Sequence, residues 1–213
     1  MLLKAHDAFR AGDPLGVQKY SSQLGGHLLA PYLEYWRLKL RIEDAPEAEL
    51  RAFLEQQQGS YLADRLRADW LKELGRRGEW QGFELEFPPL VQDDLEIRCY
   101  SWLSRLARGD DGAYEEAKPV WLEPRELSEG CSALADKMIE AGRISVPDVW
   151  QRVRVLLHGG LLAAARRALE HLPAGEKHDQ GLLNQAATAP KKLLASPPRN
   201  LERRAAREML LFA

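Results

Sequence analysis

Two cysteines, Cys99 and Cys131, carry the sharpest chemical signal in this chain. Each falls in an apolar-periodic stretch that reads as helix, Cys99 within Leu95 to Arg108 and Cys131 at the start of Cys131 to Ala141. Stacked helical units would bring the two sulfurs into bonding range. A disulfide closing a loop of roughly thirty residues restricts the unfolded chain by roughly 3 to 4 kcal/mol and implies an oxidising compartment. The alternative use is two small buried thiols in a cytosolic core, and spacing alone leaves both open. Zinc binding is disfavoured, because there is no Cys-x-x-Cys and the five histidines, His6, His27, His158, His171 and His178, are scattered.

Other chemistry is faint. The chain has no phosphate-cradling GxxxxGK(S/T), no GxGxxG, no GxSxG and no HExxH. Its many carboxylates fall mostly on helix faces, where solvation or pairing one turn away is the ordinary explanation; an enzyme with its site among them is the weakest of the functional readings. Six tryptophans, Trp36, Trp70, Trp80, Trp102, Trp121 and Trp150, offer flat apolar faces that suit a sugar ring, but their helical spacing fits packing between repeats better. No catalytic, cofactor-binding or metal-ligating residue is assigned, and no cofactor is expected.

The elements that must position these residues are helical. Ala11-Gly12-Asp13, Arg77-Gly78-Glu79, Arg108-Gly109-Asp110 and Ala141-Gly142-Arg143 each separate two apolar-periodic stretches, and the last three glycines stand 31 and 33 residues apart. Glycine enters the left-handed conformation that ends a helix, and roughly thirty residues hold one helical hairpin, so the period predicts a stacked α-solenoid. Tyr32, Trp36 and Leu40, then Leu62, Leu66, Trp70 and Leu74, then Cys99, Leu103 and Leu106, then Val149, Val153 and Leu156 follow helical spacing. Pro31 fits a first helical turn and Ser145 an N-cap. Breaks are expected at Gly25-Gly26, Asp44-Ala45-Pro46, Phe87-Pro88-Pro89, Glu123-Pro124, Gly159-Gly160, Pro173 to Lys177 and Ser196-Pro197-Pro198. Periodicity weakens from Glu176 to Ala195, while Asn200 to Ala213 reads as a helix with Leu201, Ala205, Met209 and Phe212 along one stripe. That stripe ends without Gly, Pro or a polar cap, as expected of a segment cut from a longer protein.

Composition narrows the partners. The 213 residues are 45% hydrophobic and 29% charged with a formal net charge of −2, which gives neither a generally basic nucleic-acid footprint nor a disordered acidic composition. The charge is uneven: residues 143–213 carry 12 Lys and Arg against 6 Asp and Glu, a balance of +6, leaving 18 against 26, or −8, for residues 1–142. Arg166, Arg167, Arg203, Arg204 and Arg207 read first as solvated helix faces, and second as attraction for an anionic partner. No run of apolar residues is long enough for a membrane span, and no signal peptide is visible at the N-terminus.

Several segments, in consistent order over roughly residues 20–170, resemble the N-terminal superhelical region of the soluble lytic murein transglycosylases. They are Pro31-Tyr32-Leu33-Glu34-Tyr35, Leu50-Arg51-Ala52-Phe53-Leu54, Leu62-Ala63-Asp64-Arg65-Leu66-Arg67 with Trp70-Leu71, Arg76-Arg77-Gly78-Glu79-Trp80, Glu96-Ile97-Arg98-Cys99-Tyr100 and Val149-Trp150-Gln151-Arg152. The resemblance implies a single all-α domain over residues 1–213, a right-handed α-superhelix of stacked helical hairpins forming part of a curved U-domain. It also implies periplasmic residence in a Gram-negative bacterium, with peptidoglycan glycan strands as partner and a monomeric state. Such enzymes cleave between N-acetylmuramic acid and N-acetylglucosamine, leaving a 1,6-anhydro end, through a lysozyme-like C-terminal domain whose glutamate lies in a Glu-Ser pair followed by Gly-Leu-Met-Gln. Neither motif occurs here. The chain is therefore expected to be a non-catalytic scaffold, followed in the full protein by further helical linker and the catalytic domain, and periplasmic residence favours a structural disulfide between Cys99 and Cys131. The rival expectation is an intracellular adaptor, similar to tetratricopeptide-repeat proteins, that binds a protein or peptide.

Overall fold

The computed structural model describes residues 1–24, 26–176 and 180–213. Among the described residues there are fourteen α-helices, one short 3-10 turn and no strand, so the all-α expectation holds. The chain divides into two compact units, Met1–Ala107 and Arg108–Ala213. Within each, helices pack chiefly on their neighbours along the chain, as a solenoid of helical hairpins requires.

The first unit comprises α1 (Leu2–Arg10), α2 (Pro14–Gln23), α3 (Ala30–Lys39), α4 (Glu47–Gln56), α5 (Tyr61–Arg77), α6 (Trp80–Glu86) and α7 (Leu95–Ala107). Its spine is α5, which packs on α3, α4, α6 and α7. The stripe Leu62, Leu66, Trp70 and Leu74 is buried throughout, as its spacing predicts. Ser60 opens the helix by accepting a hydrogen bond from the Ala63 amide at 3.2 Å, and Gly78 closes it in the left-handed conformation at φ +70°. Gly12, Gly109 and Gly142 are likewise at positive φ, so all four glycine breaks predicted from the sequence are helix-ending turns.

The second unit comprises α8 (Gly112–Trp121), α9 (Glu129–Glu140), α10 (Val146–His158), α11 (Leu162–Glu170), α12 (Gln180–Thr188), α13 (Pro190–Ala195) and α14 (Arg204–Phe212), with the 3-10 turn at Ala174–Glu176. Here α10 is central, packing on α11 and α14 with Val149, Val153 and Leu156 buried. The predicted breaks fall between helices where they are described; Gly25 and Lys177, like His178, lie outside the described residues.

Two predicted patterns are displaced. The terminal helix begins at Arg204, not Asn200, because the Leu201 and Glu202 carbonyls accept from Nη1 of Arg207 at 2.9 and 2.7 Å instead of from helical amides. On α3 the buried residues are Leu33, Tyr35 and Leu38, while Tyr32 is 41% exposed. This helix packs on α1, α2, α4 and α5, so one stripe cannot describe it. Trp36 turns to α1, its ring 5.5 Å from Phe9 and 5.3 Å from His6, while the Tyr35 hydroxyl reaches Asp69 of α5 at 3.3 Å.

Two neighbouring glycines separate packing from backbone strain. A Cβ at Gly75 would overlap the ring of Tyr100, so this glycine lets α7 approach α5, whereas Gly78 has room and needs only its positive φ. Gly75→Ala is expected to cost about 1 to 3 kcal/mol through overpacking and Gly78→Ala about 1 kcal/mol through conformational strain. Chemical denaturation of both variants checks the order.

Candidate functional site

The most unusual charged residue is Arg152, and the local structure that places it starts about two turns earlier, at Ser145. Ser145 and Asp148 form a reciprocal cap on α10: the Ser145 amide donates to Oδ2 of Asp148 at 2.8 Å, and the Asp148 amide donates to Oγ of Ser145 at 3.4 Å. With Pro147 in the first turn, α10 starts at a fixed register. Three residues beyond Val149, that register carries Arg152 onto the buried face, only 3% exposed.

A guanidinium there must exchange water for protein oxygens. Nη1 donates to the Trp121 carbonyl and to that of Glu123 at 3.4 Å, and Nη2 donates to that of Arg125 at 3.2 Å. All three oxygens belong to the end of α8 and the segment following it, where backbone carbonyls lack helical amides. The group also lies over the Trp121 ring, 4.9 Å from the centroid. Trp121 is fixed in turn, its Nε1 donating to the Asp148 carbonyl at 3.0 Å and its ring meeting His171 edgewise at 5.8 Å. Burial pushes the Arg152 guanidinium down to about 10, with nearby Glu123 opposing, so the group remains a cation at neutral pH.

Beside this column is a cavity of about 270 Å³ lined by Trp121, Ser132, Asp136, Arg152, Arg167 and His171 among others. It is the polar recess of the second unit. A larger recess of about 680 Å³ lies where α10 meets α14, and Val153, Leu157, Met209, Leu211 and Phe212 make it apolar. Glu208 lines it too, its Oε1 accepting from Arg154 at 2.7 Å.

The two cysteines sit where the sequence places them. Cys99 in α7 and Cys131 in α9 are both buried, both disulfide-bonded, and neither is a free thiol. The tryptophans divide: Trp70, Trp121 and Trp150 are buried, and Trp36, Trp80 and Trp102 are half-buried. Of the five arginines read as solvated faces, Arg166, Arg167, Arg203 and Arg207 are exposed, while Arg204 is half-buried, paired with Glu208 at 3.5 Å and lying over Trp150.

The buried carboxylates are held by arginines. Glu86 lies 3.5 Å from Arg67 and 3.8 Å from Arg51. Burial alone would raise Glu73, but the guanidiniums of Arg76 and Arg77 outweigh it and hold its carboxyl below the usual glutamate range. A general acid needs the opposite shift. Sequence reading named Trp121 only as one of six tryptophans that fit packing between repeats and Arg152 only within the segment Val149-Trp150-Gln151-Arg152, with no role for either; the available signal was an arginine interrupting the apolar face Val149, Val153, Leu156 of a periodic helix.

No protein-family model matches the chain. Among curated proteins it is similar to the soluble lytic murein transglycosylase of Salmonella typhimurium, 24% identical over 145 residues, covering 68% of this chain and 22% of that protein. The soluble lytic murein transglycosylase of Escherichia coli K12 is 22% identical over 179 residues, covering 84% of this chain and 28% of that protein. The chain thus spans about a quarter of the length of these relatives. Among solved structures, the 70-kDa soluble lytic transglycosylase of E. coli shares the fold with a TM-score of 0.66 at 20% identity, over 99% of this chain and 34% of that one. An inactive mutant of the lytic transglycosylase Slt from Pseudomonas aeruginosa does so with a TM-score of 0.64 at 21% identity, over 98% and 34%.

The cap that sets the Arg152 register has a pH signature. Hydrogen bonds from Ser145, and then the proximity of Lys118, hold the Asp148 carboxyl below the usual aspartate range. A carboxyl lowered on folding stabilises the native state above its unfolded pKa of about 3.9, and that contribution is lost as pH falls through the folded value. Asp148→Asn should therefore cost about 1 kcal/mol at neutral pH and nothing measurable at the acid end. Urea titrations of both proteins across the acid range read the convergence.

Proposed function

We propose, from the premise that the chain belongs at low identity to the soluble lytic murein transglycosylase family, that it is a non-catalytic superhelical scaffold of a periplasmic lytic transglycosylase. In this reading, cleavage between N-acetylmuramic acid and N-acetylglucosamine, with its 1,6-anhydro product, is performed by a separate lysozyme-like domain, and these helices help to position peptidoglycan for it. The observation that carries the reading is one of coverage. An alignment over 84% of this chain takes up 28% of the E. coli relative, and the Glu-Ser and Gly-Leu-Met-Gln motifs of the family's catalytic domain have no counterpart in the sequence.

Two features of the chain agree with it. The buried disulfide suits an oxidising compartment, and no described helix is long and apolar enough to cross a membrane. The buried carboxylates, paired with guanidiniums, are poorly suited to protonating a glycosidic oxygen. Binding would come from shallow contacts, aided by exposed Arg166, Arg167, Arg203 and Arg207 facing the anionic carboxylates of peptidoglycan.

The test uses purified chain and purified sacculi. The chain is expected to pellet with sacculi at low salt, to pellet less as salt rises because exposed charges are screened within about 8 Å at physiological ionic strength, and to release no 1,6-anhydromuropeptides. Release of those products, with contaminating enzyme excluded, overturns the scaffold assignment. Reduction of the disulfide is expected to lower the melting temperature by on the order of 10 °C, since the loop-closure restriction on the unfolded chain is lost. An unchanged melting curve after verified reduction contradicts a structural role for Cys99 and Cys131.

A further inference from the structure

We propose that the cavity beside Arg152 is a binding site for a small carboxylate, of the size of an amino acid or the carboxyl end of a short peptide. A guanidinium has five N–H donors, and the protein oxygens around Arg152 occupy three: both hydrogens of Nη1 and one of Nη2. The remaining Nε and Nη2 hydrogens sit on the two nitrogens of one edge of the planar group, the spacing that takes both oxygens of a carboxylate. Among the described residues no carboxylate stands within ion-pairing distance of Arg152. The nearest acidic influence, Glu123, is itself paired with Arg125 at 2.7 Å.

A buried cation whose hydrogen-bond partners are all neutral carbonyls is the costly half of an ion pair. Arg152 also lines the cavity, so the missing half has a place to stand. The other charged residues of the lining, Asp136, Arg167, Glu170 and His171, include both signs, and none is buried. Arg167 is half-committed to Glu126 at 2.9 Å, and Asp136 stands 4.0 Å from His171. The one charge removed from water is therefore positive, and it sets the sign of the ligand. A cavity of about 270 Å³ equals roughly nine water volumes at about 30 Å³ each, which admits an amino-acid-sized group and not a disaccharide. Resting on the peptidoglycan reading above, the natural source is the peptide that cross-links the glycan, reached by its carboxyl end; a free amino acid presents the same chemistry.

The probes are N-acetyl-D-alanyl-D-alanine, the same dipeptide amidated at its C-terminus, and free D-alanine, each titrated into the folded chain by calorimetry at low salt. The acid form is expected to bind and the amide at least tenfold more weakly. Equal binding of free D-alanine supports a site for the amino-acid group alone, and preference for the dipeptide supports a peptide end. Because Arg152→Met would also strip the Trp121 and Arg125 carbonyls of their side-chain donor, the variants of choice are at exposed Ser132 on the rim. Ser132 lies in the first turn of α9, where added negative charge suits the helix end. Ser132→Glu should weaken the acid dipeptide tenfold or more, and Ser132→Lys should not. No binding of any probe, equal affinity for acid and amide, or an unaffected Ser132→Glu overturns the proposal. If sacculi still pellet the chain while no probe binds, the cavity assignment falls and the scaffold reading stands; probe binding without sacculus binding leaves the cavity and removes the peptidoglycan source.

Discussion

A guanidinium can leave water only where oxygens replace its hydration, and in the second unit that requirement ties two helices and the segment between α8 and α9 together. Arg152 projects from α10, its oxygens come from the end of α8 and the segment after it, and the Trp121 ring beneath it is tied back to α10 through the Asp148 carbonyl. The exchange is reciprocal. Helix α8 ends without a glycine in the left-handed conformation, its cap residue Leu122 remaining in the right-handed region, so its last carbonyls need donors from elsewhere. Arg152 supplies them, and the carbonyls in turn make burial of the cation tolerable.

The hydrophobic side of the fold follows from helix length. Most helices here run from seven to thirteen residues, short enough to be marginal alone in water, so each must bury its apolar stripe on a neighbour. Where a helix has one dominant packing face, the stripe was legible in the sequence: Leu62, Leu66, Trp70 and Leu74 on α5, and Val149, Val153 and Leu156 on α10, are all buried. Where a helix has several packing partners, as α3 has, no single period describes it, and Tyr32 is exposed while Leu33 is covered. The turns were the most legible feature, because a left-handed helix end has a chemical requirement that glycine meets within the local sequence.

The candidate site was much less legible. Its elements are an arginine on an apolar face, a tryptophan 31 positions away that shields it, and backbone carbonyls that carry no side-chain signature. Periodicity places Arg152 on the face correctly, but nothing local says which carbonyls will receive it; that depends on how α8 ends. The same limit explains the start of α14. Arg207 takes the Leu201 and Glu202 carbonyls, a choice made by a long side chain reaching backward along the chain and invisible to a stripe of apolar residues. Cys99 and Cys131 form the intermediate case, since two cysteines leave a single possible intramolecular pairing, and the question open in the sequence was only whether they pair.

The electrostatic pattern separates holding from reacting. A glycan-cleaving acid must keep a proton at neutral pH, which calls for an apolar setting or a neighbouring negative charge. Here Glu73, Glu86 and Glu208 are buried against arginines instead: the Glu86–Arg67 and Glu208–Arg154 pairs join neighbouring helices, and the Glu73 pairs lie within α5 and hold that carboxyl below the usual glutamate range. Arg152 inverts the pattern, as a buried cation left with carbonyls and an adjacent cavity. Under the scaffold reading proposed above, a weak carboxylate site of that kind would have value. A carboxylate held at millimolar affinity contributes little alone, yet on a polymer with many copies of the same group the second and later contacts form at a raised effective concentration. On that reading, many shallow contacts along a helical surface would hold an extended polymer without any one of them binding tightly enough to prevent release.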